Sequence, residues 1–329
     1  MKYRVFGKTK MKISEIGLGF WQIGSTSWKG DIKKAEEIVK QSLDSGINFF
    51  DTAEVYGNGK SERSLGNALK ELKAVDSSFV ATKIGGFRPS SYFIEKGVKK
   101  SINNLGFKPN LLQLHWPPPL WIPICTVIRG MEKMIDKGYV DYIGVSNFSG
   151  KLLKDAIQCT SRYEIISNQI EYNLSYRVAE IDLFSLAKKE NIEIIAYSPL
   201  AKGALAGAKN PYSLAQKSDK RFKRIINDKE LISTLDMISQ KYNYTWSQIS
   251  LKWIINNNAL PIPGTRNKER VKEYAMSSNI EIRDEDLSLL DKVSIKYVNV
   301  WGKKYNNLKI IRYVPCILQY LGIKLSGGA

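Results

Sequence analysis

The chain has 329 residues, 43% of them hydrophobic and 25% charged, which suffices for two domains of average size or one large barrel. No stretch approaches the ~20 consecutive apolar residues that a membrane-spanning helix needs. The N-terminus, Met1-Lys2-Tyr3-Arg4, lacks the apolar core of a signal peptide. We therefore expect a cytoplasmic protein without a membrane span.

Lysine and arginine outnumber aspartate and glutamate by 50 to 32, which gives a net charge of +18. An excess of this size makes anionic partners worth considering, although a solvated, lysine-rich surface explains it as well. The positive charge is concentrated in the loop from Lys209 to Arg224 and in the tail after Asp291, which has no acidic side chain. Because no zinc-finger or helix-turn-helix pattern stands out, nucleic acid is not an expected partner.

Cysteine and histidine usage argues against metal sites. The three cysteines, Cys125, Cys159 and Cys316, are odd in number and lack any paired spacing, so neither a disulfide framework nor a zinc site is expected. The chain has one histidine, His115, which excludes a site built from several histidines. No metal cofactor is predicted.

Strand-like segments recur along the chain at a nearly fixed interval. A hairpin is predicted first, at residues 2–6 and 12–13, with its turn at Gly7-Lys8. Eight apolar runs follow, at residues 15–19, 47–51, 79–83, 111–115, 142–146, 165–169, 192–197 and 260–264. Runs of this length and composition are typical of buried strands.

Most of these runs are followed by an amphipathic helix. The first helix has Ile38, Val39 and Leu43 on one face, Asp31 as its N-cap and Gly46 as its stop. A period of roughly 30 residues is that of one βα unit. Eight such units predict a parallel (β/α)₈ TIM barrel with an N-terminal β-hairpin, whose active site lies at the carboxyl ends of the strands.

The interval between the seventh and eighth strands is too long for one helix. It contains a basic loop at residues 201–226 and helical patterns at 229–242 and 245–255; a last helical pattern, at 267–278, follows the eighth strand. Loops of this length in a barrel are usually lids or binding loops. Because no linker divides the chain, residues 1–329 are expected to form one domain, with 284–329 as a C-terminal helical extension packed on the barrel.

Polar side chains end most of the predicted strands. Each is weak evidence alone, since a histidine beside Trp116 is usually a core residue and a lysine at a strand end is usually solvated. Together, the residues at the predicted strand ends are expected to surround the barrel mouth. They are Asp51, Lys83, His115, Ser146, Asn147, Gln169, Tyr197, Gly264, Thr265 and Arg266. Tyr56 follows Asp51 by one short loop, so both can reach this mouth.

A tyrosine near the barrel mouth needs a lowered pKa to act as an acid at neutral pH. A phenol titrates near pH ~10 unaided, so it is a poor acid at neutrality. A cation ~4 Å away, at an effective dielectric constant of ~20, could lower its pKa by roughly one to three units. We therefore expect Lys83 to lower the pKa of Tyr56, and Asp51 to hold Lys83 charged and oriented.

Several segments resemble the aldo-keto reductases, over essentially the whole chain up to about Leu290. The matching segments are Ser14-Glu15-Ile16-Gly17-Leu18-Gly19 with Trp21, Asp51-Thr52-Ala53, Tyr56-Gly57, Ala81-Thr82-Lys83, Leu114-His115-Trp116, Ile143-Gly144-Val145-Ser146-Asn147-Phe148, Asn168-Gln169, Ala196-Tyr197-Ser198-Pro199-Leu200 and Ile262-Pro263-Gly264-Thr265-Arg266. As a set, this signature is highly specific.

The resemblance implies a reaction. It implies NADPH-dependent reduction of an aldehyde or ketone to an alcohol by hydride transfer, without a metal. The implied catalytic residues are Asp51, Tyr56, Lys83 and His115. Tyr56 would donate the proton, and His115 Nε2 would hydrogen-bond and orient the carbonyl oxygen. The implied substrate pocket contains Trp21, Tyr56, His115 and Trp116, with Phe20 and Trp28 as further aromatic walls.

The resemblance also implies how the cofactor is held. Ser146, Asn147 and Gln169 would bind the nicotinamide carboxamide, and Tyr197 would lie under its ring. Thr265, Arg266 and Arg270 would bind the adenosine 2′-phosphate, which is the basis for NADPH over NADH. The remaining implied cofactor residues are Gly19, Phe20, Trp21, Asp51, Ser198, Pro199, Leu200, Lys202, Gly264 and Glu273. The basic loop 209–224 is predicted to clasp the pyrophosphate, with Lys202 and Lys209 nearest.

The sequence bears on two other functions. A two-domain dinucleotide-binding dehydrogenase fails on spacing, because Gly17, Gly19 and Gly24 miss the G-x-G-x-x-G pattern by two positions. A non-catalytic, cofactor-binding regulatory subunit is the second alternative, since potassium-channel β-subunits belong to the resembled family. Its basic tail would dock on a partner or an acidic membrane surface, and the C-terminal extension could also mediate oligomerisation.

Overall fold

The computed structural model describes residues 1–25, 31–298 and 311–325, and in these ranges it contains an eight-stranded parallel sheet. The strands lie in sequence order, each beside its neighbour in the chain. The first and last strands are joined by hydrogen bonds from Gly17 N to Pro261 O and from Gly19 N to Pro263 O, both 3.0 Å. The sheet therefore closes on itself, and the predicted (β/α)₈ barrel is confirmed.

The strands begin and end close to their predicted positions. The N-terminal hairpin consists of β1 (Tyr3–Val5) and β2 (Lys12–Ser14), as expected. The barrel strands are β3 (Leu18–Gly19), β4 (Phe49–Asp51), β5 (Phe79–Ile84), β6 (Leu111–Leu114), β7 (Tyr142–Ser146), β8 (Ile165–Glu171), β9 (Glu193–Tyr197) and β10 (Ala259–Pro261). Strand β10 ends earlier than predicted, because Pro263 has no N–H with which to continue the ladder.

Helices surround the barrel. They are α1 (Trp21–Gly24), α2 (Ala35–Asp44), α3 (Lys60–Glu71), α4 (Ser91–Leu105), α5 (Ile124–Asp136), α6 (Gly150–Cys159), α7 (Leu183–Lys189), α8 (Leu214–Lys217), α9 (Lys220–Ile226), α10 (Lys229–Tyr242), α11 (Trp246–Asn256), α12 (Lys268–Met276), α13 (Asp284–Ser294) and α14 (Cys316–Leu325). None of the helices in the described ranges combines the length and apolarity needed to span a bilayer.

Capping residues set the helix ends as the sequence indicated. The Asp31 carboxylate accepts a hydrogen bond from Lys33 N at the start of a 3₁₀ turn, Ile32–Lys34, that leads into α2. Gly106 ends α4 with φ +78°, a conformation that costs glycine little. Helix α10 occupies the predicted residues, and Thr245 caps α11 through a reciprocal bond with Gln248.

The basic loop before α10 has more structure than predicted. It contains a 3₁₀ turn at Ala201–Ala206 and two short helices, α8 and α9. Ser213 caps α8, and the Asp219 carboxylate accepts a hydrogen bond from Arg221 N at the start of α9. Caps of this kind stabilise short helices. Such helices were not predicted because they have too few residues to show a periodic pattern in the sequence.

The tail packs beside the loops that follow β5 and β6. Leu120 N donates to Arg312 O at 3.1 Å, and Trp116 Nε1 donates to Gln319 Oε1 at 3.1 Å. The rings of Phe87 and Tyr320 lie 5.7 Å apart. The other predicted tail residues, 299–310 and 326–329, lie outside the described residues.

The expectation that the cysteines form no disulfide was wrong. Cys125 on α5 and Cys159 on α6 form a disulfide, with a sequence separation of 34 residues. That separation is close to one βα unit, so folding brings the two cysteines onto neighbouring helices. The sequence test looked for short paired motifs and could not detect this pairing. Because disulfides are rare in most cytosolic proteins, the cytoplasmic location stays a prediction.

Alternate residues of each strand face the barrel interior and the helices. Phe49 belongs to the interior cluster and its neighbour Phe50 to the helix-facing cluster. The hairpin adds Phe6 to the interior, where its ring lies 5.6 Å from Phe49 and 5.1 Å from Phe79. Phe6 is fully buried and closes the end of the barrel opposite the strand carboxyl ends.

Substitution of Phe6 tests whether its side chain closes this end of the barrel. Phe6→Ala should lower the free energy of unfolding by about 3–5 kcal/mol, since it leaves a cavity among buried rings. Urea unfolding followed by tryptophan fluorescence measures the change. Val5→Ala in the same hairpin is the control, because Val5 is 52% exposed and should change stability by less than about 0.5 kcal/mol. Equal changes in the free energy of unfolding for the two substitutions would contradict this role of Phe6.

Candidate active site

The carboxyl ends of the strands surround one large cavity. Its volume is about 1020 Å³, and both apolar and polar groups line it. Most of the predicted site residues are among the lining residues: Gly19, Trp21, Asp51, Tyr56, His115, Trp116, Ser146, Asn147, Gln169, Tyr197, Ser198, Pro199, Leu200, Lys202, Gly264, Thr265, Arg266 and Arg270. The fold therefore gathers residues that are more than 200 positions apart at one place.

Three of the residues predicted to be catalytic or to bind the cofactor lie outside the lining of this cavity, in addition to Lys209 of the basic loop. Lys83 is fully buried behind Tyr56, and Phe20 is fully buried with its ring 6.3 Å from that of Phe50. Glu273 contacts Arg270 rather than the cavity, with an Nη1–Oε2 distance of 2.6 Å. Trp28 lies outside the described residues.

A tight turn brings Tyr56 to the cavity. Tyr56 begins a 3₁₀ turn, Tyr56–Gly59, directly before α3. Gly57 has φ +56°, and a Cβ atom at this position would lie 2.1 Å from the carbonyl oxygen of Gly24. Only glycine fits both the conformation and the close approach. This explains why the Tyr56-Gly57 pair holds the phenol at a fixed position.

The phenol lies against a buried ion pair. Lys83 Nζ donates to Asp51 Oδ1 at 2.5 Å, to Thr52 O at 2.9 Å and to Tyr56 Oη at 3.3 Å. Lys83 is fully buried and Asp51 nearly so. Buried charges need partners of opposite charge and further hydrogen bonds, and here both are present.

The expected direction of the Tyr56 pKa shift was wrong. Burial of the phenol, followed by the negative charge of Asp51, raises the pKa of Tyr56 well above its usual value. Burial also lowers the pKa of Lys83, although Asp51 acts in the opposite direction. The expected lowering rested on the Lys83 charge, with Asp51 only as the group that orients Lys83. In the structure, the carboxylate offsets the lysine charge and desolvation then decides the direction.

His115 is neutral. Burial and then the Lys83 charge lower the pKa of His115 well below its usual value. Its Nε2 lies 3.5 Å from Tyr56 Oη. Its Nδ1 is buried without a hydrogen-bond partner among the described residues. Because an unpaired N–H is rarer in protein interiors than an unpaired acceptor, we assign the proton to Nε2, where it points towards the phenol.

Sequence analysis missed Gln113. This side chain on β6 is fully buried and donates to Asp51 Oδ2 at 3.1 Å, while Gln169 donates to the same oxygen at 2.7 Å. Together with Lys83, these amides give the Asp51 carboxylate three side-chain donors. A glutamine inside the apolar run Leu111-Leu112-Gln113-Leu114 was a signal that could have been noticed.

A second missed group is the buried pair of Glu54 and Arg88. Glu54 Oε1 accepts hydrogen bonds from Gly85 N at 2.8 Å and from Arg88 Nε at 3.0 Å. Glu54 N also donates to Lys83 O at 3.0 Å. These bonds tie the loop that carries Tyr56 to the end of β5, which carries Lys83.

The residues assigned to the nicotinamide form a connected group. Asn147 Nδ2 donates to His115 O at 2.8 Å, and Tyr197 Oη donates to Asn147 Oδ1 at 3.0 Å. Ser146 Oγ donates to Gln169 O at 2.9 Å. Asn147 and Ser198 have φ values of +64° and +50°, so the chain is strained where β7 and β9 end.

The other end of the cavity is positively charged. Arg266 and Arg270 line it, next to Thr265. Glu273 Oε2 holds Arg270, and Glu273 Oε1 accepts a hydrogen bond from Thr245 Oγ1 at 2.6 Å. Glu273 therefore orients an arginine at the cavity instead of lining it.

The basic loop reaches the cavity through Lys202 and Arg221. Lys202 Nζ lies 2.9 Å from Asp219 Oδ2, and Arg221 pairs with Glu171 at 2.9 Å and with Asp219 at 3.0 Å. Although burial opposes ionisation, Arg221 and Lys202 lower the pKa of Asp219 to about 2. Lys209, which was expected nearby, is not among the lining residues, and Arg221 takes that place.

Aromatic side chains line the cavity beside Tyr56. The rings of Trp21 and Tyr56 are 6.3 Å apart, and those of His115 and Trp116 are 4.8 Å apart.

In the described ranges, no group of three or more histidine, cysteine, aspartate or glutamate side chains could hold a metal ion.

Known proteins are similar to this chain. An uncharacterized oxidoreductase of Mycobacterium tuberculosis is 33% identical over 288 residues, which cover 82% of this chain and 86% of that protein. A probable voltage-gated potassium channel subunit beta of Arabidopsis thaliana is 31% identical over 299 residues, which cover 83% and 90%. The crystal structure of a thermostable aldo-keto reductase, Tm1743, in complex with epalrestat has a TM-score of 0.76 at 27% identity and covers 89% of this chain and 100% of its own. The sequence matches the Aldo/keto reductase family over residues 15–295, and the chain therefore belongs to this family of oxidoreductases.

Proposed function

We propose that the protein is an NADPH-dependent reductase of small aldehydes or ketones, with Tyr56 as the proton donor. The observation that carries this proposal is the position of Tyr56 Oη, 3.3 Å from Lys83 Nζ and 3.5 Å from His115 Nε2. All three groups lie at the cavity or directly behind it. A substrate oxygen placed there would meet a hydroxyl donor and an imidazole donor together.

The residues present fit NADPH. The cavity is large enough for a dinucleotide, and the polar groups at one end differ from those at the other. Asn147, Gln169 and Tyr197 would hold the nicotinamide, while Arg266 and Arg270 would bind the 2′-phosphate. When bound, NADPH supplies the hydride. Lys202 and Arg221 also line the cavity and would donate hydrogen bonds to the pyrophosphate, with Asp219 and Glu171 holding both side chains in place.

The raised pKa of Tyr56 is compatible with proton donation. Negative charge develops on the substrate oxygen as the carbonyl is reduced, and an alkoxide is a much stronger base than a phenolate. Proton transfer from the phenol is therefore downhill even from a phenol with a raised pKa. Lys83 then stabilises the phenolate that remains, because its ammonium is 3.3 Å from the oxygen.

His115 orients the substrate rather than acting as an acid. A neutral imidazole with its proton on Nε2 donates a hydrogen bond to the carbonyl oxygen without transferring the proton. Asp51 has a supporting role, since it keeps Lys83 protonated in a fully buried position. Gln113 and Gln169 in turn fix the Asp51 carboxylate.

A regulatory, cofactor-binding subunit is the second candidate function. It is favoured by the similarity to the potassium channel subunit beta of Arabidopsis thaliana. The same cavity would bind the cofactor in both cases. The two functions differ in turnover: a reductase oxidises NADPH rapidly with an aldehyde and depends on Tyr56, whereas a regulatory subunit does not.

Removal of the Tyr56 hydroxyl tests the proton donor. Tyr56→Phe should lower kcat for NADPH oxidation with a reactive aldehyde by about 10²–10⁴-fold, since general acid catalysis contributes this much. The dissociation constant of NADPH, followed by tryptophan quenching, should stay nearly unchanged. Tyr92→Phe is the matched control at an exposed tyrosine. Retention of most of the activity by Tyr56→Phe would eliminate the assigned acid.

The pH profile tests the assigned protonation states. Because burial and Asp51 raise the pKa of Tyr56, and because burial and Lys83 lower that of His115, neither group should titrate between about pH 7 and 9. The value of kcat/KM for reduction should therefore be level across this range. An alkaline fall with its midpoint near pH ~8 would show that the Tyr56 phenol or the Lys83 ammonium titrates in this range, and would contradict the assigned protonation states.

Arginine substitutions test the cofactor preference. Arg270→Ala should weaken NADPH binding by roughly 10–100-fold, the value of a charged hydrogen bond, and should leave NADH binding nearly unchanged. Isothermal titration with both cofactors gives the ratio. Lys272→Ala, on the exposed side of the same helix, is the control and should change neither affinity. Equal losses for NADPH and NADH would refute the 2′-phosphate assignment.

A further inference from the structure

The carboxyl end of the barrel carries an exposed apolar surface beside the cavity. We call it the apolar face and define it as Trp121, Tyr313, Ile317, Leu318, Tyr320 and Leu321. These side chains are between 39% and 69% exposed. Large apolar residues that cluster in this way usually mark an interaction surface, whereas scattered ones need no explanation.

Contacts hold together the segments that carry the apolar face. Arg312 accepts a hydrogen bond from Leu120 N through its carbonyl oxygen, and its Nε donates to Pro118 O at 3.0 Å. These bonds hold the turn before α14 against the loop that carries Trp121. Tyr320 lies against Phe87 in the loop after β5.

Helix α14 is held from one side and exposed on the other. Gln319 is nearly fully buried, accepts from Trp116 Nε1 and donates to Ile311 O and Val314 O. Ile317, Leu318 and Leu321 occupy positions i, i+1 and i+4 and are all exposed. Residues at these spacings lie on one side of a helix. The apolar side of α14 therefore points away from the barrel.

The sequence of the tail that carries α14 has side-chain charge of one sign. After Asp291 the sequence contains seven basic residues and no acidic one: Lys292, Lys296, Lys303, Lys304, Lys309, Arg312 and Lys324. Lys296 is paired with Asp228 and Glu230. Among the described tail residues, Arg312 precedes α14 in the chain, and Lys324 lies on α14 with its Nζ 5.6 Å from the centre of the Tyr320 ring.

We propose that the apolar face docks on an anionic lipid bilayer surface, with Ile317, Leu318 and Leu321 entering the headgroup boundary. A helix with aromatic and aliphatic side chains on one side and nearby basic residues is typical of interfacial binding. The excess of basic residues in the tail sequence favours anionic headgroups. A second copy of the chain is disfavoured as the occupant, because a two-fold interface would bring two basic tails together. This proposal is independent of the proposed catalytic function.

Vesicle flotation with the full chain tests the docking. Binding to vesicles that contain phosphatidylglycerol should be roughly tenfold or more tighter than binding to phosphatidylcholine alone. It should weaken as salt screens the charges. Absence of binding to the anionic vesicles would overturn the proposal.

Two variants locate the binding surface. Ile317→Ser/Leu318→Ser/Leu321→Ser should lose vesicle binding and keep its thermal unfolding midpoint, since Gln319 and its contacts are retained. Lys324→Glu should weaken binding and leaves the apolar side chains in place. The matched control, Met237→Ser/Met276→Ser, removes exposed apolar side chains on α10 and α12 and should bind as the unmodified chain does.

The outcomes separate lipid from a second copy. Sedimentation velocity in the absence of vesicles should show no oligomer that depends on α14. A dimer that the triple variant dissociates would identify a second copy as the occupant and overturn lipid docking. Equal vesicle binding by the triple variant and the unmodified chain would overturn it as well, because the apolar face would then contribute nothing.

Discussion

The buried pair of Lys83 and Asp51 is the interaction on which the site depends. An ammonium that is fully removed from water is tolerated only when a carboxylate and further acceptors surround it. The barrel meets this requirement by placing the ends of β4 and β5 side by side, while glutamines from β6 and β8 complete the shell of the carboxylate. The phenol of Tyr56 is then fixed by the same ammonium.

This arrangement connects the fold to the chemistry. The apolar hairpin residue Phe6 closes one end of the barrel, so the polar strand ends are confined to the other. The loops after β4 and β5 are joined by Glu54 and Arg88, which limits the movement of Tyr56 relative to Lys83. The tail contributes at the same end through the bond between Trp116 and Gln319.

Much of the fold and many of the residues at the cavity could be predicted from the sequence. Strand positions were predictable because apolar runs of constant spacing indicate one topology, and in a parallel barrel the carboxyl ends of the strands surround the same cavity. His115, directly after β6, and Gln169, near the end of β8, were found by that rule. Gln113 was not, because it lies inside its strand, and the Cys125–Cys159 pairing depends on helix packing that no local pattern encodes. The pKa direction at Tyr56 needed burial and the distance to Asp51, which the sequence does not contain.

The most direct test of the account removes the ion pair as a unit. Asp51→Asn/Lys83→Met eliminates both buried charges together, so neither is left uncompensated and the fold should persist. The measurement is the single-turnover rate of NADPH oxidation at saturating aldehyde. A fall of about 10²-fold or more, with NADPH still bound, is the predicted result, because the phenolate left by proton transfer would lose its cation. A rate within roughly threefold of the unmodified protein would contradict the central claim.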